Sequence, residues 1–452
     1  MIKSSLKKSK KHNQKELFPL TGYKNKRVHA SFTLEDTSHD GGLLLLNEVA
    51  KKTGLLHQLA DCITDTRHQS YVTHSFDALI QQRVMQIAAG YEDANDCNSL
   101  KEDGILKYCT QNQSSLGTQP TMCRLENHPG AKTLYQMGKV IIDNFISSYA
   151  EAPKIIILDC DDTSAITYGQ QELALFNNYY GDYCYMPLHI YEGLSGKLIT
   201  SILKPGRRSK SVNVFSILRR IILYLQHHWP NTIIVLRGDG HFCSKDFMDW
   251  KQGQKNVEFI TGLTGNKSLN ELARVTIDSA TKEYQLNQKP VKRYHCFEYK
   301  ADTWQYAQRV IVKVEVNEMG NNIRYIVSSI KNIRAKELYE KGYCARGAAE
   351  LRIKDHKTYL HSDRMSCNSF LANQFRLFMH SAAYILIHAL QNEVLRGTEY
   401  CKATMKTIQL KIIKVAARVK VMKSKINIEL PVSFATRHIF EKCFLIFNAI
   451  RT

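Results

Sequence analysis

Apolar residues between about 41 and 150 recur at helical intervals, as in Phe76, Leu79, Ile80, Val84, Ile87 and Ala88, a spacing that lines one face of an α-helix. Gly90, Asp93 and the pair Asp103-Gly104 interrupt the pattern and mark helix ends. The spacing predicts an all-α region. After Pro153 the texture changes: Lys154-Ile155-Ile156-Ile157-Leu158 reads as a strand, and β-type segments at 183–191 and 197–203 suggest an antiparallel meander. An amphipathic helix opened by Ser209 or Ser211 then runs to about His228, with Val214, Ile217, Leu218, Ile221 and Ile222 on one face. A strand at 231–236, a short helix from Ser244 to about Trp250 and a strand at 257–261 complete the order β-β-β-α-β-α-β.

Three further strand patterns, 292–300, 308–316 and 323–330, have turn signals at Asp302 and Gly320-Asn321-Asn322. They interrupt an α/β region, which predicts an inserted β domain. Helical periodicity resumes at Ala335 and runs through Glu350 to a long apolar helix at 369–389. The expected divisions are a basic arm and helical region (1–150), the first part of an α/β core (151–275), the β insertion (276–334), the rest of the core (335–398) and a basic C-terminal region (399–452).

Composition narrows the function. Lys and Arg total 62 against 42 Asp and Glu, a formal charge of +20, which suits a polyanionic partner. The excess collects in an arm over residues 1–30 and between Lys402 and Ile428, where basic residues occur without an acidic one. Hydrophobic content of 44% with few Pro and Gly excludes a disordered or collagenous chain. Apolar runs such as 43–46 and 155–158 fall far short of the roughly 18–20 residues a membrane span needs. The lysine-rich start has no apolar stretch behind it, so a secretory signal is not expected. The expected location is the cytoplasm, at the nucleoid, with no membrane partner. Twelve cysteines stand singly, the closest pair being Cys97 and Cys109, so no C-x₂₋₄-C metal knuckle exists. Reduced, mostly buried thiols are expected.

Acidic residues gather where strand ends should meet. Asp159 and Asp161 are two apart at the end of the first strand and project to one face, while Asp162 is expected to turn away. Asp239 ends the fourth strand, which a right-handed crossover places parallel to and beside the first. Carboxylates at such strand ends lie where open α/β sheets bind ligands, and their mutual repulsion is relieved by Mg²⁺ or Mn²⁺. Tyr343, Arg346, Glu350 and Lys357 fall on one face of a regular helix, since offsets of 3, 7 and 14 rotate by about −60°, −20° and −40°.

These residues resemble the DDE transposases of bacterial insertion sequences, in the branch with the signature Y-(2)-R-(3)-E-(6)-K, which Tyr343, Arg346, Glu350 and Lys357 match at every position. Leu158-Asp159-Cys160-Asp161-Asp162-Thr163 resembles the family's first acidic motif, L-D-x-D-x-T. Arg237-Gly238-Asp239-Gly240-His241-Phe242 resembles the second, R-x-D-S-x-F, with glycine where serine is usual. Further likeness runs through 91–96, 119–127, Pro187-Leu188 and Lys204-Pro205-Gly206. The resemblance implies a ribonuclease H-like catalytic core with an inserted β domain, preceded by an all-α DNA-binding region. It implies two Mg²⁺ or Mn²⁺ ions on Asp161, Asp239 and Glu350, with Asp159 beside them as a second candidate. Tyr343, Arg346 and Lys357 are then expected on DNA phosphates. Double-stranded DNA is the expected partner, as terminal inverted repeats and target, with the protein a homodimer in the synaptic complex. The activity implied is phosphodiester cleavage and strand transfer by a cut-and-paste route.

Two residues have an alternative structural role: Trp304 would stack on an extruded base or anchor its small β domain, and His241 would approach the metal or support Asp239. Two other functions remain open at this point: a catalytically silent DNA-binding protein derived from a transposase, and a stand-alone nuclease that never joins ends.

Overall fold

The computed structural model describes residue 28 and residues 33–112, 114–207 and 213–451. Apart from Val28, the basic arm at 1–30 lies outside the described residues, as do Ser209 and Ser211. Helices occupy most of 43–147, among them α1 (Phe76–Ala88), which Ser75 opens by accepting a hydrogen bond from the Ala78 N–H, and α2 (Ala131–Ser147). The core follows as β1 (Ile155–Asp162), β2 (Leu188–Glu192), β3 (Leu198–Ile202), α3 (Val214–His228), β4 (Ile233–Gly238), α4 (Lys245–Lys251) and β5 (Val257–Leu263). Within the main sheet this is the β-β-β-α-β-α-β order read from the sequence, but the expected strand at 183–191 is two: Asp182–Tyr185 joins a separate small sheet and only Leu188–Glu192 joins the main one. Asn213, whose side chain accepts from the Phe215 N–H, opens α3.

Beyond β5 come α5 (Lys267–Asn287), β6 (Val291–Tyr299), β7 (Gln308–Asn317) and β8 (Gly320–Ser328). The three strands do not form a separate inserted domain. β8 pairs antiparallel with β5, so one eight-stranded mixed sheet runs in the order β6-β7-β8-β5-β4-β1-β2-β3. Pairing to β5 covers what would have been an exposed edge. The expected boundary at 275/276 falls inside α5, whose polar sequence buries little besides Leu269, Ala273 and Ala280. Gly320, at φ +103°, closes the tight turn between β7 and β8.

Alternation along each strand gives the sheet two buried faces. Ile234, Leu236, Val310, Val312 and Val314 pack with α3, α4 and α5, while Val235, Ile260, Ile311 and Ile326 face Leu338 and Tyr339. After β8 a helical run leads into α6 (Gly347–Lys354), followed by the largely buried α7 (Phe370–Ala389).

The N-terminal helices are not an independent all-α unit. Leu45, Ile80 and Val84 share one core with Phe375, Met379 and Ile387 of α7 and with Ile408, Val419 and Phe440 near the C-terminus. Thr37–Ser38 pairs antiparallel with Ala417–Val421, which pairs with Ile426–Glu429. The basic stretch at 402–428 is thus folded onto the N-terminal helices, with Lys414 bonded to Asp40 at 2.7 Å. Of the cysteines, Cys97, Cys109, Cys160, Cys184 and Cys443 are buried, whereas Cys296 and Cys344 are exposed, so burial is less general than expected. No described helix is long and apolar enough to cross a membrane.

A buried charge network ties this body together. Glu126 accepts from Arg376 Nη1 on α7 at 2.9 and 3.1 Å and lies 3.4 Å from Arg83 Nε on α1. All three side chains are 2% exposed or less. Arg83 also donates to the Glu92 backbone carbonyl at 2.7 Å, so the network reaches both the 91–96 segment and, through Glu126, the 119–127 segment. Removing the shared carboxylate leaves two buried guanidiniums facing each other. Glu126→Ala should therefore cost about 3–5 kcal/mol of stability, read as a fall in the denaturant midpoint, and Glu126→Gln should cost less. An unchanged midpoint in Glu126→Ala would show that the three charges do not depend on one another.

Candidate active site

β1 runs out of the apolar core at Leu158 into three carboxylates with different surroundings. Asp159 is fully buried: Arg237 of β4 holds it through Nε and, at 2.8 Å, through Nη2, while Arg352 Nη1 of α6 stands at 3.6 Å. Arg237 also donates to the Gly342 carbonyl at 2.7 Å, and Arg352 to those of Glu192 and Gly193 at 3.3 and 3.1 Å. Burial raises the Asp159 pKa and the Arg237 contact opposes that rise. This carboxylate faces protein on every side.

Asp161, two residues on, opens into a cavity of about 440 Å³ that Asp239 also lines. β1 and β4 lie parallel and adjacent, with Asp159 beside Arg237, so the chain carries both acids past neighbouring strand ends. Burial pushes Asp161 up to about 6; Arg346 pulls it down, and the negative charges of Asp239 and Asp162 push it further up. Asp239 accepts the His241 backbone N–H at 2.8 Å, and its other oxygen lies 3.2 Å from His241 Nδ1. Asp162 does leave the Asp159 face, accepting from Lys204 Nζ at 2.7 Å with both oxygens. It nevertheless lines the same cavity, because at the strand's end both faces open onto one hollow, so it is not turned away from the site.

The segment carrying the fourfold signature is helical but uneven. It is wide at Leu338–Tyr343, tight at Cys344–Arg346, regular in α6, and wide again at Asp355–Tyr359. Constant rotation per residue therefore does not hold, and the four side chains reach different places. Tyr343 is half-buried and lines a second cavity with Asp239, Arg324 and Arg346. Its hydroxyl lies near the end of β5, where a Cβ on Gly262 would stand 2.9 Å from it and 2.8 Å from the Gly240 backbone nitrogen; the backbone contact is what requires glycine there. Arg346 donates to Asp161 at 3.2 Å and to Glu350 at 3.3 Å, bridging strand and helix. Glu350 is 63% exposed. Lys357 reaches the loop after β1, donating to the Ser164 carbonyl at 2.6 Å. Trp304 packs edge-on against Tyr299 at a 5.5 Å centroid distance and lines neither cavity.

The structure thus brings Asp161, Asp239, Tyr343, Arg346 and Lys357 to one end of the sheet, with Glu350 at its margin, and leaves Asp159 beneath and Trp304 elsewhere. Sequence reasoning missed Lys204, Arg352 and the tyrosines 179 and 180 at the cavity rim. Lys204 lay within a stretch that carried the resemblance, but nothing in its spacing tied it to Asp162.

A family model described as transposase DDE domain group 1 matches residues 20–452. The chain belongs to that family. No curated protein matches it. Among solved structures, the chain is similar to piggyBac transposase in its synaptic complex with hairpin DNA, at 12% identity and a TM-score of 0.46, covering 83% of this chain and 80% of that one.

A transposase DDE domain implies divalent metal ions, and the donors here suit them. Asp161, Asp239 and Asp162 give one cavity three sets of hard oxygen donors, and their mutual repulsion is what a small cation relieves. The third member of the expected set is placed differently: Glu350 is engaged by Arg346, and among the described residues no three His, Cys, Asp or Glu side chains form a ready metal cluster. Glu350 would join a cation only by giving up the guanidinium.

The two first-motif acids should separate in stability measurements on metal-free protein. Asp161 has a folded pKa of about 6 against its ordinary 3.8. The folded state then binds the proton more tightly than the unfolded state, and stability falls as pH rises between those values and stays lower above them. Asp161→Asn should remove that fall and raise the midpoint at pH 7–8. Asp159→Asn, by contrast, leaves Arg237 buried without its counter-charge and should lower stability by about 3–5 kcal/mol. Equal effects from the two variants would contradict this assignment of environments.

Proposed function

We propose that the chain is a DNA transposase of the insertion-sequence branch marked by Tyr343, Arg346, Glu350 and Lys357. It would bind the inverted repeats at an element's ends as a homodimer and carry out cut-and-paste phosphodiester cleavage and strand transfer. The observation that carries this reading is the placement of Asp161 and Asp239 past the ends of adjacent parallel strands, in one cavity, with Arg346 linking Asp161 to Glu350.

Asp161, Asp239 and Glu350 are the residues that would hold two ions, Mg²⁺ or Mn²⁺. The chemistry such ions supply when bound is activation of the attacking water or 3′-hydroxyl and stabilisation of the leaving oxygen. The chain's own groups do the remaining work. Arg346 offers a planar fork that a phosphate can take over from the two carboxylates it now neutralises. Lys357 contributes a point charge beside the loop after β1, and Tyr343 presents its hydroxyl at the edge of the second cavity. Asp159 is given no chemical role in this reading. Its bonds to Arg237 and Arg352 support a positioning one.

Cleavage of a duplex carrying the element's terminal sequence tests the proposal. Asp161→Asn, Asp239→Asn and Glu350→Gln should each abolish Mg²⁺-dependent nicking while retaining DNA binding, since each removes negative charge from a DNA-facing surface. Arg346→Ala and Lys357→Ala should slow cleavage or strand transfer; Lys357→Ala should leave metal affinity unchanged, and Arg346→Ala, which frees Asp161 and Glu350 from the guanidinium, should not weaken it. Nicking by Asp239→Asn at the wild-type rate would overturn the reading. Nicking without joining of pre-cleaved ends would make the protein a nuclease instead.

A further inference from the structure

Between β1 and β2 the chain leaves the main sheet and forms a small antiparallel one from Ala165–Ile166, Leu175–Asn177 and Asp182–Tyr185. Folding does not explain its outer surface. Tyr168, Phe176, Tyr179, Tyr180 and Tyr183 are all exposed, Tyr179 at 87%. Scattered exposed aromatics are ordinary, but five within sixteen residues beside a charged cavity are more than the fold of a small sheet requires. The rings are arranged in pairs: Tyr179 meets Tyr180 edge-on at 4.9 Å, and Phe176 meets Tyr183 edge-on at 5.5 Å.

The small sheet is fixed relative to the acids. Asn177 Nδ2 donates to the Gly206 carbonyl at 2.6 Å, and a Cβ on Gly206 would lie 2.2 Å from the Cys184 carbonyl oxygen, so both strands close on that glycine. Tyr185 donates to the Glu172 carbonyl at 2.6 Å beneath the surface. Tyr179 and Tyr180 line the same cavity as Asp161, Asp162 and Asp239, together with Arg207 and with Lys204, which is paired with Asp162.

We propose that Tyr179 and Tyr180, extended by Phe176 and Tyr183, form a stacking platform for unpaired nucleotides next to the phosphate that is cut. The inference rests on the transposase reading and adds a ligand form to it. Exposed ring faces beside cations are how proteins hold single-stranded nucleic acid, the rings taking bases and the cations taking phosphates. A base inside a duplex offers only its edges, because its faces are already stacked, so away from duplex ends these rings gain a partner only where pairing is lost.

Two probes test this: a blunt duplex, and the same duplex with an overhang of about five nucleotides containing 2-aminopurine. Wild-type protein should prefer the overhang and quench the 2-aminopurine. Tyr179→Ala/Tyr180→Ala should lose the quenching and about tenfold or more of the overhang affinity. Its blunt-duplex affinity should be unchanged, and Tyr179→Phe/Tyr180→Phe should behave as wild type. These side chains are exposed, so the variants are expected to fold. An unchanged overhang preference in the alanine variant overturns the platform, as does an equal loss on both probes. Mg²⁺-dependent nicking by wild type and its loss in Asp239→Asn report on the transposase reading separately, so that reading can stand while the platform fails.

Discussion

A fully buried carboxylate held by two guanidiniums, Asp159 with Arg237 and Arg352, joins the three elements on which the candidate acids stand. Burying such charges carries a large desolvation cost, recovered only when their geometry leaves nothing unpaired, so the cluster tolerates little movement of β1, β4 or α6 relative to one another. Each candidate acid lies two residues from a member of this cluster: Asp161 from Asp159, Asp239 from Arg237, and Glu350 from Arg352. The dry side of the sheet end thereby sets where the wet side places its oxygens. Arg237 extends the same control to the Gly342 carbonyl, at the start of the uneven helical run that carries Tyr343 and Arg346.

Much of this was legible in the sequence because strand burial writes itself as uninterrupted aliphatic runs. Crossover handedness alone pairs Ile155–Leu158 with Ile233–Leu236 and so puts Asp161 near Asp239. The extra strands were visible too, but their partner was not. Nothing in the alternation of 308–316 or 323–330 says whether the next neighbour is β5 or solvent, so a continuous sheet read as an insertion. α5 is hard to read because its fully buried positions are only Leu269, Ala273 and Ala280 in a largely polar sequence, and alanines weigh little in any hydrophobic pattern. The fourfold signature is legible in its spacing but its geometry is not, because the changes of winding at 338–346 and 355–359 carry no strong local signal.

The second buried network, Arg83–Glu126–Arg376, does for the N-terminal helices what Asp159 does for the end of the sheet that carries the candidate acids. Its residues come from three distant segments, so the apparent modularity of a helical region followed by a core dissolves once side chains are considered. Part of the basic C-terminal stretch is likewise committed to structure, Lys414 to Asp40 and Lys420 to Glu429. These two lysines are engaged in structure, although the excess of +20, which already subtracts every acidic residue, is unchanged by such neutral pairs.

The shared core of α1 and α7 has a consequence for synthesis. The apolar faces of the helices up to Ser147 are completed by side chains from Phe370 onward, which leave the ribosome roughly 220 residues later. At about 5–20 residues per second that interval is on the order of 10–45 s. During it Leu45, Ile80 and Val84 lack their native cover, and Arg83 and Glu126 lack Arg376. A nascent chain in this condition is sticky as well as incomplete, so the yield of folded protein should depend on elongation rate and on chaperones that occupy those helices until the chain's end arrives.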